Sequence, residues 1–164
     1  MGLMKLDFTV EAPVEHVWNF GLKAEMIPRW QFDVVAVEGI SGPIDNAGTK
    51  YTLVYKKAGL HLGSPVEVTR FEPENLTIET TGKTPLGGRF RSCTTMRQVD
   101  EHTTRVDWVM DYRLPGWFFG VLLDKLLFEW AFKKTVRKYN RNFKLLAEKT
   151  FRQSNTGSMQ SMPG

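Results

Sequence analysis

One cysteine and three histidines are all that 164 residues supply of the side chains that most often hold metals or form crosslinks. Cys93 has no second thiol to close a disulfide, and it lies in a strand-like run where a small apolar side chain packs well, so a structural role is expected. His16, His61 and His102 are scattered without ligand spacing, which argues against a preformed metal site, and no cofactor is expected. Long apolar runs are missing too: nothing approaches the roughly 18 residues needed to cross a bilayer. The chain opens directly in an alternating pattern with no signal-peptide apolar block, so the expected location is the cytoplasm.

A hydrophobic content of 41% in this length fits one domain with a substantial core. The expected layout is a single domain over residues 1–150. In 151–164 periodicity is lost from Gln153 onward, and a disordered tail is expected. The net charge of +4 is unevenly placed: residues 117–149 carry +5 and the remainder −1. The basic excess therefore belongs to one segment, whose default reading is a solvated helix face.

Lys5 to Val10 alternates like a half-buried strand, and Glu11-Ala12-Pro13 ends it and places a proline for a helix's first turn. A short helix to about Leu22 follows, with Val14, Val17 and Trp18 on one apolar face. Pro28, Trp30 and Phe32 mark a second short turn. Six strand-like runs come next, Val34 to Ile40, Lys50 to Lys57, Leu62 to Phe71, Leu76 to Thr81, Arg89 to Val99 and Thr104 to Leu114. The breakers between them are short, which favours an antiparallel meander. A long helix to about Lys149 closes the pattern. Its positions Phe132, Val136, Tyr139, Phe143 and Leu146 form a stripe facing the sheet, with Lys134, Arg137, Arg141 and Lys144 opposite.

Several of these pieces carry a resemblance. Glu11-Ala-Pro-Val-Glu-His-Val-Trp18, Pro28-Arg29-Trp30, Gly48-Thr49-Lys50-Tyr51, Phe71-Glu72-Pro73 and Thr104-Arg105-Val106-Asp107-Trp108 resemble, in order, motifs of the START/Bet v 1-like superfamily and its polyketide cyclase/dehydrase-like members. The resemblance runs from about Leu6 to Leu146. It implies an α+β helix-grip fold, a curved antiparallel sheet wrapped around a long C-terminal helix with two short helices after the first strand. It also implies a cavity between sheet and helix, while the activity hosted there differs among members.

Alternation assigns the wall of that cavity. Trp108, Met110 and Tyr112 share a face on the last strand, and Phe90, Ser92 and Thr94 share one on the strand before. Tyr51, Leu53 and Tyr55 form a third set. Trp30, with Phe128 and Phe132 from the facing helix, completes the expected ligand-binding set. Small Ser92 and Thr94 beside large aromatics leave room that a packed core would fill. Three functions stay open: carriage of a hydrophobic small molecule such as a lipid, quinone or polyketide-like compound; a cyclase or dehydrase in the same cavity; and an interaction module. No catalytic residue is assigned. Tyr112, with a reference phenol pKa of about 10, and Arg70 are where a catalytic reading falls, with Arg29 and His61 as further groups near a pocket mouth.

The start of the long helix is apolar nearly all round. Phe119, Leu123, Leu126, Leu127 and Trp130 occupy the side that further on is basic, so a cover is expected: a homodimer partner, folded-back loops or a membrane surface. Nucleic acid is set aside, because the basic residues match no recognition helix of known type.

Overall fold

The computed structural model describes residues 2–85, 87–114 and 125–159. Strand β1 (Gly2–Val10) leads through Pro13 into helix α1 (Val14–Gly21), which buries Val14, Val17, Trp18 and Phe20. Proline fits the residue preceding α1 because its fixed φ suits helix entry and it lacks an N–H that would go unpaired there. A 3-10 turn (Ala24–Met26) runs into the one-turn helix α2 (Ile27–Trp30). Strands β2 (Val34–Glu38), β3 (Lys50–Lys57), β4 (Leu60–Glu72), β5 (Thr77–Lys83), β6 (Arg89–Asp100) and β7 (Thr103–Arg113) follow, then the long helix α3 (Lys125–Met159). β2 stops before the expected Ile40 because Gly39 takes a positive φ of 61° and turns the chain out of the strand.

All pairings are antiparallel, in the order β1-β7-β6-β5-β4-β3-β2. This is the helix-grip architecture: one seven-stranded sheet curves around α3. α3 buries Val136, Phe143 and Ala147, and Phe143 anchors it through edge contacts with Phe8, Phe20 and Trp30 at centroid distances of 6.1, 5.1 and 5.5 Å. Buried Glu148 accepts the Glu11 backbone N–H (2.8 Å) and pairs with Lys144 (3.0 Å), whose ammonium also donates to the Thr9 carbonyl. Lys144 is thereby drawn from the solvent side to the strand it secures.

α3 runs to Met159, past the Lys149 end that its apolar spacing suggests. Phe151 continues the packed stripe against the His16 ring at 5.2 Å, and Arg152 reaches Glu11 at 3.8 Å, so tertiary contacts extend the helix beyond its amphipathic pattern. Phe119 and Leu123 lie outside the described residues, as do the side chains of Leu126, Leu127 and Phe128.

Two clusters make the core. One gathers α1, the end of β1 and the C-terminal half of α3 around Val10, Val17, Trp18 and Phe143. The other joins Ala24 and Ile27 to β2, β3 and β4 around Val34, Tyr51, Leu53, Val66 and Val68. Trp30, Phe71 and Ile78 touch both.

Candidate functional site

The concave face of the sheet between these clusters is built in rows by register. Gly2, Tyr112, Phe90, Gly82, Val66 and Tyr51 lie side by side across six strands, the next row is Met4, Met110, Ser92, Thr80 and Val68, and the third is Leu6, Trp108, Thr94, Ile78 and Phe71. Apart from Tyr51, Val66 and Val68, which belong to the second cluster, the rows hold large rings next to small or hydroxylated residues.

The two glycines set how the rings lie. A Cβ on Gly2 would stand 2.3 Å from Tyr112 Cζ, and one on Gly82 would stand 2.7 Å from Phe90 Cζ and 2.6 Å from the Pro65 carbonyl oxygen. Each ring therefore lies down over a neighbouring strand where a side chain is missing, instead of standing up toward the helix. The floor is incompletely covered: Leu6, Thr80, Phe90, Thr94, Trp108 and Met110 all face inward yet stay only half-buried. Neither core cluster includes Trp108 or Met110 among the described residues.

Trp108, Met110, Tyr112, Phe90, Ser92, Thr94, Tyr51, Leu53 and Tyr55 share this face, as their alternation predicts. Phe132 of α3 meets Tyr112 edge-on at 5.3 Å. Trp30 borders the same space from α2, and its indole N–H is buried without a hydrogen-bond partner. Burial pushes the Tyr51 phenol up to about 12. Tyr55 is pushed higher still, by burial first and then by the Asp33 charge and Tyr51. Both phenols stay protonated at neutral pH, and neither makes a hydrogen bond to another of the described residues.

Arg70 does not join them. A bulge between Val68 and Arg70 places two successive residues, Thr69 and Arg70, on the convex face, and Phe71 returns inward to stack on Trp18 at 5.6 Å. Arg70 is 53% exposed and pairs with Glu72 at 2.6 Å, and Thr69 donates to Glu79. Arg29 and His61 are exposed as well, and His61 lines a shallow depression of about 510 Å³ on the convex side of β2, β3 and β4 together with Val35, Thr52 and Val54. That depression opens away from the helix and is separate from the concave floor.

Two polar groups near the floor escape a reading of the sheet alone. Glu129, in the first turns of α3, lies close enough to Tyr112 to raise its phenol pKa, an effect second to burial. Asp33, 8% exposed, accepts the Tyr139 hydroxyl and the Lys57 ammonium, tying α3 to β3. No group of three or more metal-ligating side chains occurs among the described residues.

A curved sheet gripping a long helix, with an aromatic floor left half-open beneath it, defines a helix-grip protein. The chain belongs to the family described as polyketide cyclase/dehydrase and lipid transport, whose model matches residues 1–148. Solved structures share the fold. TTHA0849 from Thermus thermophilus is 20% identical with a TM-score of 0.69, over 89% of this chain and 97% of that one. A conserved protein from Geobacillus kaustophilus is 12% identical with a TM-score of 0.73, over 91% and 97%. The Zhui aromatase/cyclase of a Streptomyces species is 17% identical with a TM-score of 0.69, over 90% and 93%. No curated protein matches the chain significantly.

Proposed function

We propose that the protein binds and carries a hydrophobic, carbonyl- or hydroxyl-bearing small molecule on the concave floor. The observation that carries this reading is the half-open floor itself: inward-facing Trp108, Met110, Thr94 and Phe90 keep accessible surface on the concave side of the sheet. Apolar surface left open inside a fold is stabilised when an apolar ligand covers it. The polar end of the ligand is read from three groups that can donate. The Tyr51 and Tyr55 hydroxyls and the Trp30 indole N–H can each donate a hydrogen bond, which suits a carbonyl or quinone oxygen.

The test is thermal melting across fatty acids, sterols, quinones and aromatic polyketides. A ligand at a hundred times its Kd adds about 2.7 kcal/mol, or roughly 5–11 °C for a domain of this size. Thr94→Trp and Met110→Trp, at half-exposed positions where a new ring extends into open space, are expected to keep the fold and lose the shift. If no compound shifts melting, or both variants respond like the parent, the reading fails.

A second reading, a cyclase or dehydrase, is favoured by one observation, the Glu129 charge beside the Tyr112 phenol. A protonated phenol next to a carboxylate gives a proton donor and a potential acceptor at one point of the floor. Turnover of a polyketide-like substrate, lost in Tyr112→Phe with binding retained, would establish it, and tight binding without turnover leaves the carrier.

A further inference from the structure

The outward side of α3 carries a dense run of uncompensated positive charge. From Trp130 to Ala147 there is no Asp or Glu. Lys133, Lys134, Arg137, Lys138 and Arg141 are all exposed, and none of them has an acidic partner among the described residues. Lys144, the sixth cation of the stretch, is neutralised by Glu148. At about 100° per residue, Trp130, Lys134, Arg137 and Arg141 fall within one narrow arc, with Lys133 and Lys138 on its flanks.

Apolar side chains stand among these cations. Trp130 is 62% exposed, Leu145 56% and Phe32, which borders the helix through Tyr139, 47%. Lys134 Nζ lies 5.2 Å over the Trp130 ring and Lys138 Nζ 4.1 Å over the Phe32 ring. Each exposed ring thus has an ammonium on one of its faces.

We propose that this face docks the protein on an anionic bilayer surface. Like charges along one helix face repel one another, and an extended anionic plane relieves that repulsion over the whole stripe, about 22 Å from Trp130 to Leu145. Rings and a leucine interleaved with cations match the boundary between headgroups and acyl chains, where an indole's apolar body and a lysine's charged tip are both accommodated. The same features disfavour nucleic acid: an ammonium already occupies one face of each exposed ring, and Leu145 offers no platform for a base. The inference does not depend on what occupies the concave floor.

Flotation of the full chain with phosphatidylcholine vesicles, with and without about 30% phosphatidylglycerol, tests it. Binding is expected only to the anionic vesicles and is expected to fall as salt is raised toward 0.5 M, on the order of the concentrations that screen surface charge. Neutralising Arg137 and Arg141 together, both to Gln, is expected to weaken binding on the order of 25-fold, about five-fold for each cation. Leu145→Glu should weaken it as well, and unchanged melting temperatures show that both variants fold. Absent binding, equal binding to neutral vesicles, or binding that the Arg137→Gln/Arg141→Gln variant retains would overturn the proposal, as would a variant-sensitive affinity for RNA or an acidic protein in place of vesicles.

Discussion

Gly82 sits where β4, β5 and β6 meet, and replacing it with alanine tests how the floor is kept open. The added methyl would stand 2.6 Å from the Pro65 carbonyl oxygen and 2.7 Å from Phe90 Cζ. Real Cβ contacts essentially never fall under 3.0 Å, so one or both neighbours must move by roughly half an ångström. The carbonyl belongs to an interior strand held on both sides, whereas the Phe90 ring borders open space. The ring is therefore expected to swing up off β5 into the hollow while β4 and β5 spread slightly. Overpacking of this kind costs about 1–3 kcal/mol, which lowers the melting temperature by roughly 2–12 °C for a domain of this length. Denaturant unfolding measures the loss, and melting in the presence of a bound hydrophobe measures the second effect, a weaker ligand shift from the raised ring. Combining Gly82→Ala with Phe90→Leu should recover ligand response more than stability, because the leucine frees the hollow and leaves the carbonyl clash in place. A Gly82→Ala protein as stable as the parent to within about 0.5 kcal/mol would refute the account of why the rings lie flat.

Two further outcomes follow from the buried charges. Tyr139→Phe removes the hydroxyl that Asp33 accepts and should cost about 1.5–3 kcal/mol, and a double-mutant cycle with Asp33→Asn in urea unfolding should show coupling between the two positions. The Arg91 guanidinium, aided by the Thr69 hydroxyl and opposed by burial, holds the Glu79 carboxyl below its ordinary value. A depressed folded-state pKa stabilises fully above the unfolded value of about 4.3 and is lost as pH falls through the folded one. Glu79→Gln is therefore expected to destabilise at pH 7, with the gap to the parent closing as the pH drops below about 4 in pH-dependent melting. A gap that stays constant down to pH 2 would mean that the charge on Glu79 does not matter.

The sheet was legible in the sequence because one face of it is apolar. Val106, Trp108, Met110 and Tyr112 alternate without interruption, Tyr51, Leu53 and Tyr55 do the same, and Phe90 to Met96 keeps the period with Ser92 and Thr94 between its apolar ends, so strand positions followed from period two and the turn breakers, and the inward face from the helix-grip resemblance. Arg70 was not legible, since a bulge inserts one residue and reverses the parity beyond it, and no local pattern in Val68-Thr69-Arg70-Phe71 announces that. The helix end was hidden for a related reason. Beyond Lys149 the apolar stripe thins to Phe151, and only the His16 ring across the fold shows what that residue packs on. Glu129 beside Tyr112, and Asp33 beneath Tyr139, join residues far apart in the chain, and a lone carboxylate next to a turn or in a helix reads as solvated until the partner element is placed.

The order β1-β7-β6 has a consequence for how the molecule comes together. The first strand made finds its neighbour in the last, Gly2 opposite Tyr112 and Val10 opposite Thr104, after on the order of a hundred intervening residues. Until β7 exists, the apolar side of β1 has no strand to lie beside, and α1 has no floor on which to settle. β2 through β7 can pair one after another as a meander while the chain is still growing, but the sheet gains its outer strand only at the end. Closing that long loop should therefore be a late event in folding, and a nascent chain stopped short of β7 should expose β1 as an unpaired, aggregation-prone segment.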